Sequence, residues 1–60
     1  MNLPSDPIML MSVVNTQLRD RYSSLEELAI QYDTKKSEIE EKLNAVGYIY
    51  DEELNQFRRR

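Results

Sequence analysis

The sequence predicts a single, mainly α domain in which three helices of helix-turn-helix type precede a C-terminal two-stranded β-hairpin. Apolar residues recur at helical spacing in three segments between Pro7 and Val46. Residues that favour helix ends separate these segments. After Gly47 the apolar period changes from 3.6 to 2. Sixty residues allow one domain, so we predict one unit over residues 1–60.

Helix 1 is predicted over about residues 7–20. Asp6 is a suitable N-cap, and Pro7 suits the first helical position because that position has no partner for a main-chain N–H. Met9 and Val13 lie nearly opposite the larger apolar face, which consists of Leu10, Met11, Val14 and Leu18. Two arrangements would cover both faces. Either helices 2 and 3 pack on one side and the hairpin on the other, or a second copy covers Met9 and Val13.

Helix 2 is predicted over about residues 25–32, with one apolar stripe formed by Leu25, Leu28, Ala29 and Tyr32. Ser23 and Ser24 each precede a glutamate by three residues. Both serines therefore fit a capping box, and the sequence does not choose between them.

Helix 3 is predicted over about residues 37–46, after a polar turn at residues 33–36. Ser37 and Glu40 form another capping-box pattern. Ile39, Leu43 and Val46 continue one apolar face. Gly47 suits the left-handed position that closes a helix.

The hairpin is predicted over about residues 48–58. Tyr48 to Tyr50 favour a strand, residues 51–54 can form a four-residue loop, and residues 55–57 can return as the second strand. The simplest register pairs Tyr50 with Asn55 and Tyr48 with Phe57. The terminal run at residues 58–60 is expected to be a frayed tail.

Composition argues against catalysis and bound cofactors. Cysteine and histidine are absent, and there is one glycine. The usual nucleophile–base pairs, thiolate metal sites and phosphate-binding loops therefore cannot be assembled. The acidic groups at Glu38 and Glu41 and at residues 51–53 are interpreted as solvated surface. We expect a non-enzymatic protein with no cofactor, no metal and no evident small-molecule substrate.

We also expect a cytoplasmic protein without a membrane partner. The apolar run of residues 8–14 is far shorter than the ~20 residues that span a bilayer. No lysine or arginine precedes it, and it lacks the cleavage pattern of a secretory signal.

Nucleic-acid binding is the alternative function that the predicted topology raises. In a helix-turn-helix protein the N-terminal part of the second helix of the motif enters the major groove, which would present Lys35, Lys36 and Lys42, with Arg58 beside the hairpin. However, residues 33–46 contain these three lysines against four acidic residues, and the chain has a net charge of -3. Such a balance opposes phosphate binding.

The favoured function is a small protein-interaction or self-associating module. Met9, Val13 and Tyr50 supply the flexible and aromatic contact surface that is enriched in interfaces. The partner would be another protein or a second copy of the chain.

The chain opens with Asn2-Leu3-Pro4 and Asp6-Pro7, and it closes with Gly47-Tyr48, Tyr50-Asp51 and Asn55-Gln56-Phe57. In these motifs it resembles a family of very short bacterial proteins known as a domain of unknown function, which opens with Asn-Leu-Pro-x-Asp-Pro and closes with Gly-Tyr-x-Tyr-Asp and Asn-Gln-Phe. The matching segments span residues 2–57, and the terminal arginines depart from the usual ending. The resemblance implies a small domain and no catalytic residue. It directs attention to the polar motif residues Asn2, Asn15, Arg19, Asp20 and Asn55, for which we expect structural roles: Arg19 at the carbonyls of a helix end, and Asn55 in the hairpin turn.

Overall fold

The computed structural model describes residues 3–60, so Asn2 lies outside the described residues. Its elements are α1 (Pro7–Asp20), α2 (Leu25–Gln31), α3 (Lys36–Asn44), β1 (Tyr48–Asp51) and β2 (Gln56–Arg59). The two strands pair antiparallel. The predicted class of three helices followed by a two-stranded hairpin is therefore confirmed.

The helix starts show which capping signals operate. The Asp6 carboxylate accepts hydrogen bonds from the amides of Ile8 at 2.8 Å and Met9 at 3.4 Å, so the predicted N-cap of α1 is confirmed. Ser24 is the N-cap of α2, where its hydroxyl accepts from the amide of Glu27 at 3.2 Å. The Ser23 hydroxyl instead donates to the Glu27 carboxylate. The two serines thus stabilise the same turn in different ways.

The prediction that Ser37 caps α3 was wrong. The N-cap is Lys35, which has no side-chain capping bond, and its carbonyl accepts the amide of Glu38 at 3.0 Å. The first turn therefore closes before Ser37 can act as the cap, and the Thr34 hydroxyl binds the Glu38 carboxylate at 2.8 Å instead.

Both short helices also end earlier than predicted. α2 ends at Gln31 and α3 at Asn44, and the chain turns at Gly47, whose φ is +91°. Val46 is 42% exposed and does not continue the buried face of α3, because it lies beyond the helix end.

The predicted hairpin register was also wrong. Tyr50 pairs with Phe57 and Asp51 with Gln56, so the loop is residues 52–55. The Asp51 carboxylate accepts from the amides of Glu53 and Leu54 at 2.9 and 3.2 Å, which starts the turn one residue later than expected. The aromatic pair across the strands is therefore Tyr50 and Phe57, whose ring centroids are 5.5 Å apart.

The terminal arginines are not a frayed tail. Arg58 and Arg59 belong to β2, and the amide of Arg60 donates to the carbonyl of Gly47 at 2.8 Å. The Arg60 guanidinium also donates to the carbonyl of Asn44 at the end of α3, at 3.3 Å. A cation is favourable there because the C-terminus of a helix is electronegative.

One core joins the helices and the hairpin, and Phe57 is the residue that the hairpin contributes to its buried part. Met11, Tyr32, Tyr48 and Tyr50 pack against its edge. The helices and the hairpin thus pack on the same side of α1, and the expectation that the hairpin would cover the opposite face was wrong for Met9. The buried residues are Leu10, Val14, Leu18, Leu25, Leu28, Ala29, Ile39, Leu43 and Phe57.

Candidate functional site

The exposed side of α1 is the first candidate site. Met9 is 59% exposed and Ile8 54% exposed, while Val13, one turn after Met9, is half-buried. We call the surface formed by Ile8, Met9, Ser12, Val13 and Thr16 the outer face of α1. The Thr16 hydroxyl donates to the carbonyl of Ser12 at 2.9 Å, so its own hydrogen bond is made within the helix.

The outer face of α1 carries no formal charge. No acidic or basic residue occurs from residue 7 to residue 18, although 32% of the chain is charged. At about 1.5 Å per residue, this uncharged stretch is about 17 Å long. The centres of protein interfaces are depleted of charged residues, whereas ordinary solvated helix faces are rich in them.

Asn15 faces the hairpin and binds it as a neighbouring strand would. Its side-chain oxygen accepts from the amide of Phe57 at 2.7 Å, and its side-chain nitrogen donates to the carbonyl of the same residue at 3.1 Å. Gln56 returns the contact by donating to the carbonyl of Asn15 at 2.8 Å. These three bonds attach α1 to the outer edge of β2.

Asn55 and Tyr50 fasten the hairpin loop to the helices. The Asn55 side-chain nitrogen donates to the carbonyls of Leu18 at 3.0 Å and Tyr22 at 2.9 Å, at the end of α1. Its oxygen accepts from the Tyr50 hydroxyl, which in turn accepts from the amide of Leu25 at 3.3 Å. Asn55 adopts a left-handed conformation with φ +54°, which asparagine tolerates better than most residues. We call Asn15, Tyr50, Asn55 and Gln56 the amide clasp.

The amide clasp makes its hydrogen bonds within the chain. Among residues 3–60, no buried side-chain nitrogen or oxygen lacks a hydrogen-bond partner. A ligand would therefore have to break contacts that join the helices to the hairpin, so the clasp is best interpreted as structural. Arg19, by contrast, pairs with Asp20 at 2.9 Å at the exposed end of α1 rather than with helix-end carbonyls. This contact lowers the pKa of Asp20.

The structure does not gather the basic residues considered for nucleic acid. Lys35 is exposed before α3, and Lys36 and Lys42 line different grooves. Arg58 is exposed on β2, but its guanidinium binds the Asp51 carboxylate at 3.0 Å. The only candidate among them on the hairpin is therefore already paired with an acid.

The acidic residues form no metal site within the described part of the chain, where no group of three potential ligands converges. Asp51 is occupied by the amides of its own loop and by Arg58. The amide of Leu54 and then the guanidinium of Arg58 hold the pKa of Asp51 below its usual value, despite partial desolvation. Asp51 is thus a turn-forming residue.

A second candidate site lies between α2 and β1. This groove has a volume of about 370 Å³, and we call it the α2–β1 groove. Ile30 is 67% exposed and lies at this groove. Nothing in the apolar stripe of α2 indicated it, because Ile30 falls outside that stripe. The lining residues are Ser23, Ser24, Leu25, Glu26, Glu27, Ile30, Lys36, Tyr50 and Glu52.

A family model described as "Domain of unknown function (DUF4250)" matches residues 4–57. The chain belongs to this family. No curated protein and no solved structure matches this DUF4250 chain. Within residues 3–60 the domain contains no helix with the length and apolar character needed to cross a membrane.

Proposed function

We propose that this DUF4250 domain is a small, non-enzymatic module that self-associates through the outer face of α1. The observation that carries the proposal is the uncharged, partly apolar surface around Met9 and Val13 on an otherwise highly charged chain. Exposed apolar surface of this kind is unfavourable in water and favours association.

The charge distribution makes the outer face of α1 the contact at which a second copy meets the least repulsion. The chain has a net charge of -3, so two copies repel each other overall. When two outer faces of α1 meet about a two-fold axis, each uncharged surface faces its identical counterpart. No like charges are then brought together along the uncharged stretch of residues 7–18.

The small core gives association a role in stability. Nine of residues 3–60 are buried, and the chain has no cysteine with which to form a disulfide. Domains of this size rarely gain more than about 3–5 kcal/mol from one core, and self-association is one of the usual additions. Association of folded copies stabilises the folded state by mass action.

Sedimentation equilibrium over a wide range of protein concentration tests the proposal. We expect the mass to rise from the 7.2 kDa of the chain towards twice that value. Met9→Glu places a charge in the interface and should weaken association by about tenfold or more. The variant should remain folded, because Met9 is exposed and a glutamate in the first turn of a helix is favourable.

Leu54→Glu is the matched control. Leu54 is 63% exposed in the hairpin loop, so this variant adds the same charge away from the outer face of α1. Its association should resemble that of the wild type apart from a small effect of net charge. A wild-type mass of one chain at every concentration, or equal effects of the two variants, would exclude association through this face.

Nucleic-acid binding has weaker support. The cations that would serve it are separated or paired with acids, and the chain is acidic overall. Titration of duplex DNA at low salt with the wild type and with Lys35, Lys36 and Lys42 replaced tests this alternative. Binding that falls steeply with added salt and disappears in the triple variant would favour it over self-association.

A further inference from the structure

The α2–β1 groove differs in chemistry from the outer face of α1. Ile30 is the most exposed large hydrophobic residue among those described, and it lies beside Leu25 and the half-buried ring of Tyr50. The groove is therefore apolar where it is lined by these side chains. Its two candidate apolar contacts, Ile30 and Tyr50, come from different elements.

The rim of this groove is acidic. Glu26, Glu27 and Glu52 line it together with one base, Lys36. Among the described residues the ion pairs are Arg19–Asp20 and Arg58–Asp51, so none of the acids at the groove is paired with a base. An acidic rim around an exposed isoleucine is complementary to an apolar side chain flanked by cations.

The main chain of β1 adds unpaired hydrogen-bonding groups beside the groove. The N–H and C=O of Phe57 point away from β1, since both bind Asn15. Tyr50 is directly opposite Phe57, so in an antiparallel ladder its own N–H and C=O point away from β2. Neither group is bonded to another described residue outside the hairpin. The outward main-chain groups of β2 at Phe57 are thus bound by Asn15, whereas no described residue is bonded to those of β1 at Tyr50.

We propose that the α2–β1 groove binds a short, extended segment of a partner protein in which an apolar residue lies between lysines or arginines. The apolar side chain contacts Ile30 and Tyr50, the cations face Glu26 and Glu52, and the main chain of the segment pairs with β1. Strand addition of this kind takes affinity from main-chain hydrogen bonds and specificity from the side-chain pockets.

The basic run of this chain itself is a poorer occupant. Arg58 and Arg59 are part of β2, Arg58 is paired with Asp51, and Arg60 binds the end of α3. The apolar residue before them, Phe57, is buried in the core. A second copy would have to unfold its hairpin to present this segment, so the groove favours a different protein.

A fluorescent peptide with the sequence Lys-Arg-Leu-Arg-Lys is the probe, and fluorescence anisotropy at low salt is the measurement. We expect saturable binding that is lost when the leucine of the peptide is replaced by serine or its basic residues by glutamates. Glu26→Lys combined with Glu52→Lys should weaken binding by about tenfold or more. Ile30→Ser should weaken it without a change in net charge.

The control protein combines Glu38→Lys with Glu41→Lys on α3, which changes the net charge by the same amount outside the groove. If the two double variants weaken binding equally, overall charge explains the effect and the proposal is overturned. The absence of binding to the wild type would also overturn it. Amide hydrogen exchange provides a second measurement, in which the amide of Tyr50 should become protected when the peptide binds. Met9→Glu should leave peptide affinity unchanged, so the groove and the proposed dimer can fail separately.

Discussion

Replacing Asn15 by alanine tests whether the amide clasp holds the hairpin on the helices. The variant removes the two bonds between the Asn15 side chain and the main chain of Phe57. Each such bond contributes about 1 kcal/mol net, so their loss costs about 2 kcal/mol. Alanine is a better helix former than asparagine by about 0.5 kcal/mol, which leaves a net destabilisation of about 1.5 kcal/mol. In a domain of this size that lowers the Tm by about 6–12 °C.

Urea and thermal unfolding, followed by circular dichroism at one protein concentration at which both variants and the wild type are monomeric, measure this change. Thr16→Ala is the matched control, because Thr16 is the exposed neighbour of Asn15 and its hydroxyl bonds only within α1. It gains a similar helix propensity and should leave the stability unchanged or slightly raised. If Asn15→Ala is as stable as Thr16→Ala, the bonds to Phe57 do not support the fold and the reasoning is refuted.

Three further predictions concern the hairpin and the turn that precedes it. Tyr50→Phe removes the hydroxyl that accepts from the amide of Leu25. In a urea titration this variant should reduce the free energy of unfolding by about 1–2 kcal/mol, and an unchanged midpoint would contradict the hydrogen bond. Gly47→Ala should cost about 1–2 kcal/mol in the same assay although no atom lies within 4 Å of the added carbon, because the φ of +91° strains any L side chain; an unaffected variant would contradict that strain. The pKa of the Asp51 carboxyl is lowered in the folded protein, first by the amide of Leu54. The ionised carboxylate therefore stabilises the fold above the pKa that Asp51 has in the unfolded chain, and this stabilisation is lost as the pH falls through the folded pKa. Asp51→Asn should therefore flatten the acid side of a plot of Tm against pH below about pH 4, and parallel curves for the two proteins would disprove this linkage.

Local signals in the sequence were sufficient for the number and order of the elements and for the bounds of α1. Asp6 and Pro7 start α1 because their effect depends only on main-chain groups within the next turn. Gly47 forms the turn before β1 for a similarly local reason, since residues other than glycine rarely adopt its φ. The periodic apolar residues Leu10, Val14 and Leu18 identified the buried face of α1.

The hairpin register depends on contacts between residues that are far apart in the chain. The same is true of which apolar face of α1 the rest of the domain covers. The Asn55 side chain binds carbonyls at the end of α1, which holds this residue in the loop rather than in the second strand. The Arg60 amide reaches Gly47 for a similar reason, since the shifted register brings them opposite each other. Spacing alone cannot specify such contacts, because they join residues far apart in the chain. The α2–β1 groove was missed for the same reason, since Ile30, Tyr50 and Glu52 meet only in the folded chain.

The polar contacts indicate that the polar residues of the family motifs stabilise the fold rather than form a binding site. The side chains of the amide clasp form hydrogen bonds that join α1, α2 and the hairpin. Changing any of them alters the fold before it can alter a binding surface, so loss of activity in such a variant would not identify a site. Met9 on the outer face of α1 and Ile30 are different, because both side chains are exposed and neither belongs to the buried core. Substitutions there separate binding from folding, and for that reason Met9→Glu and Ile30→Ser are the more informative first variants.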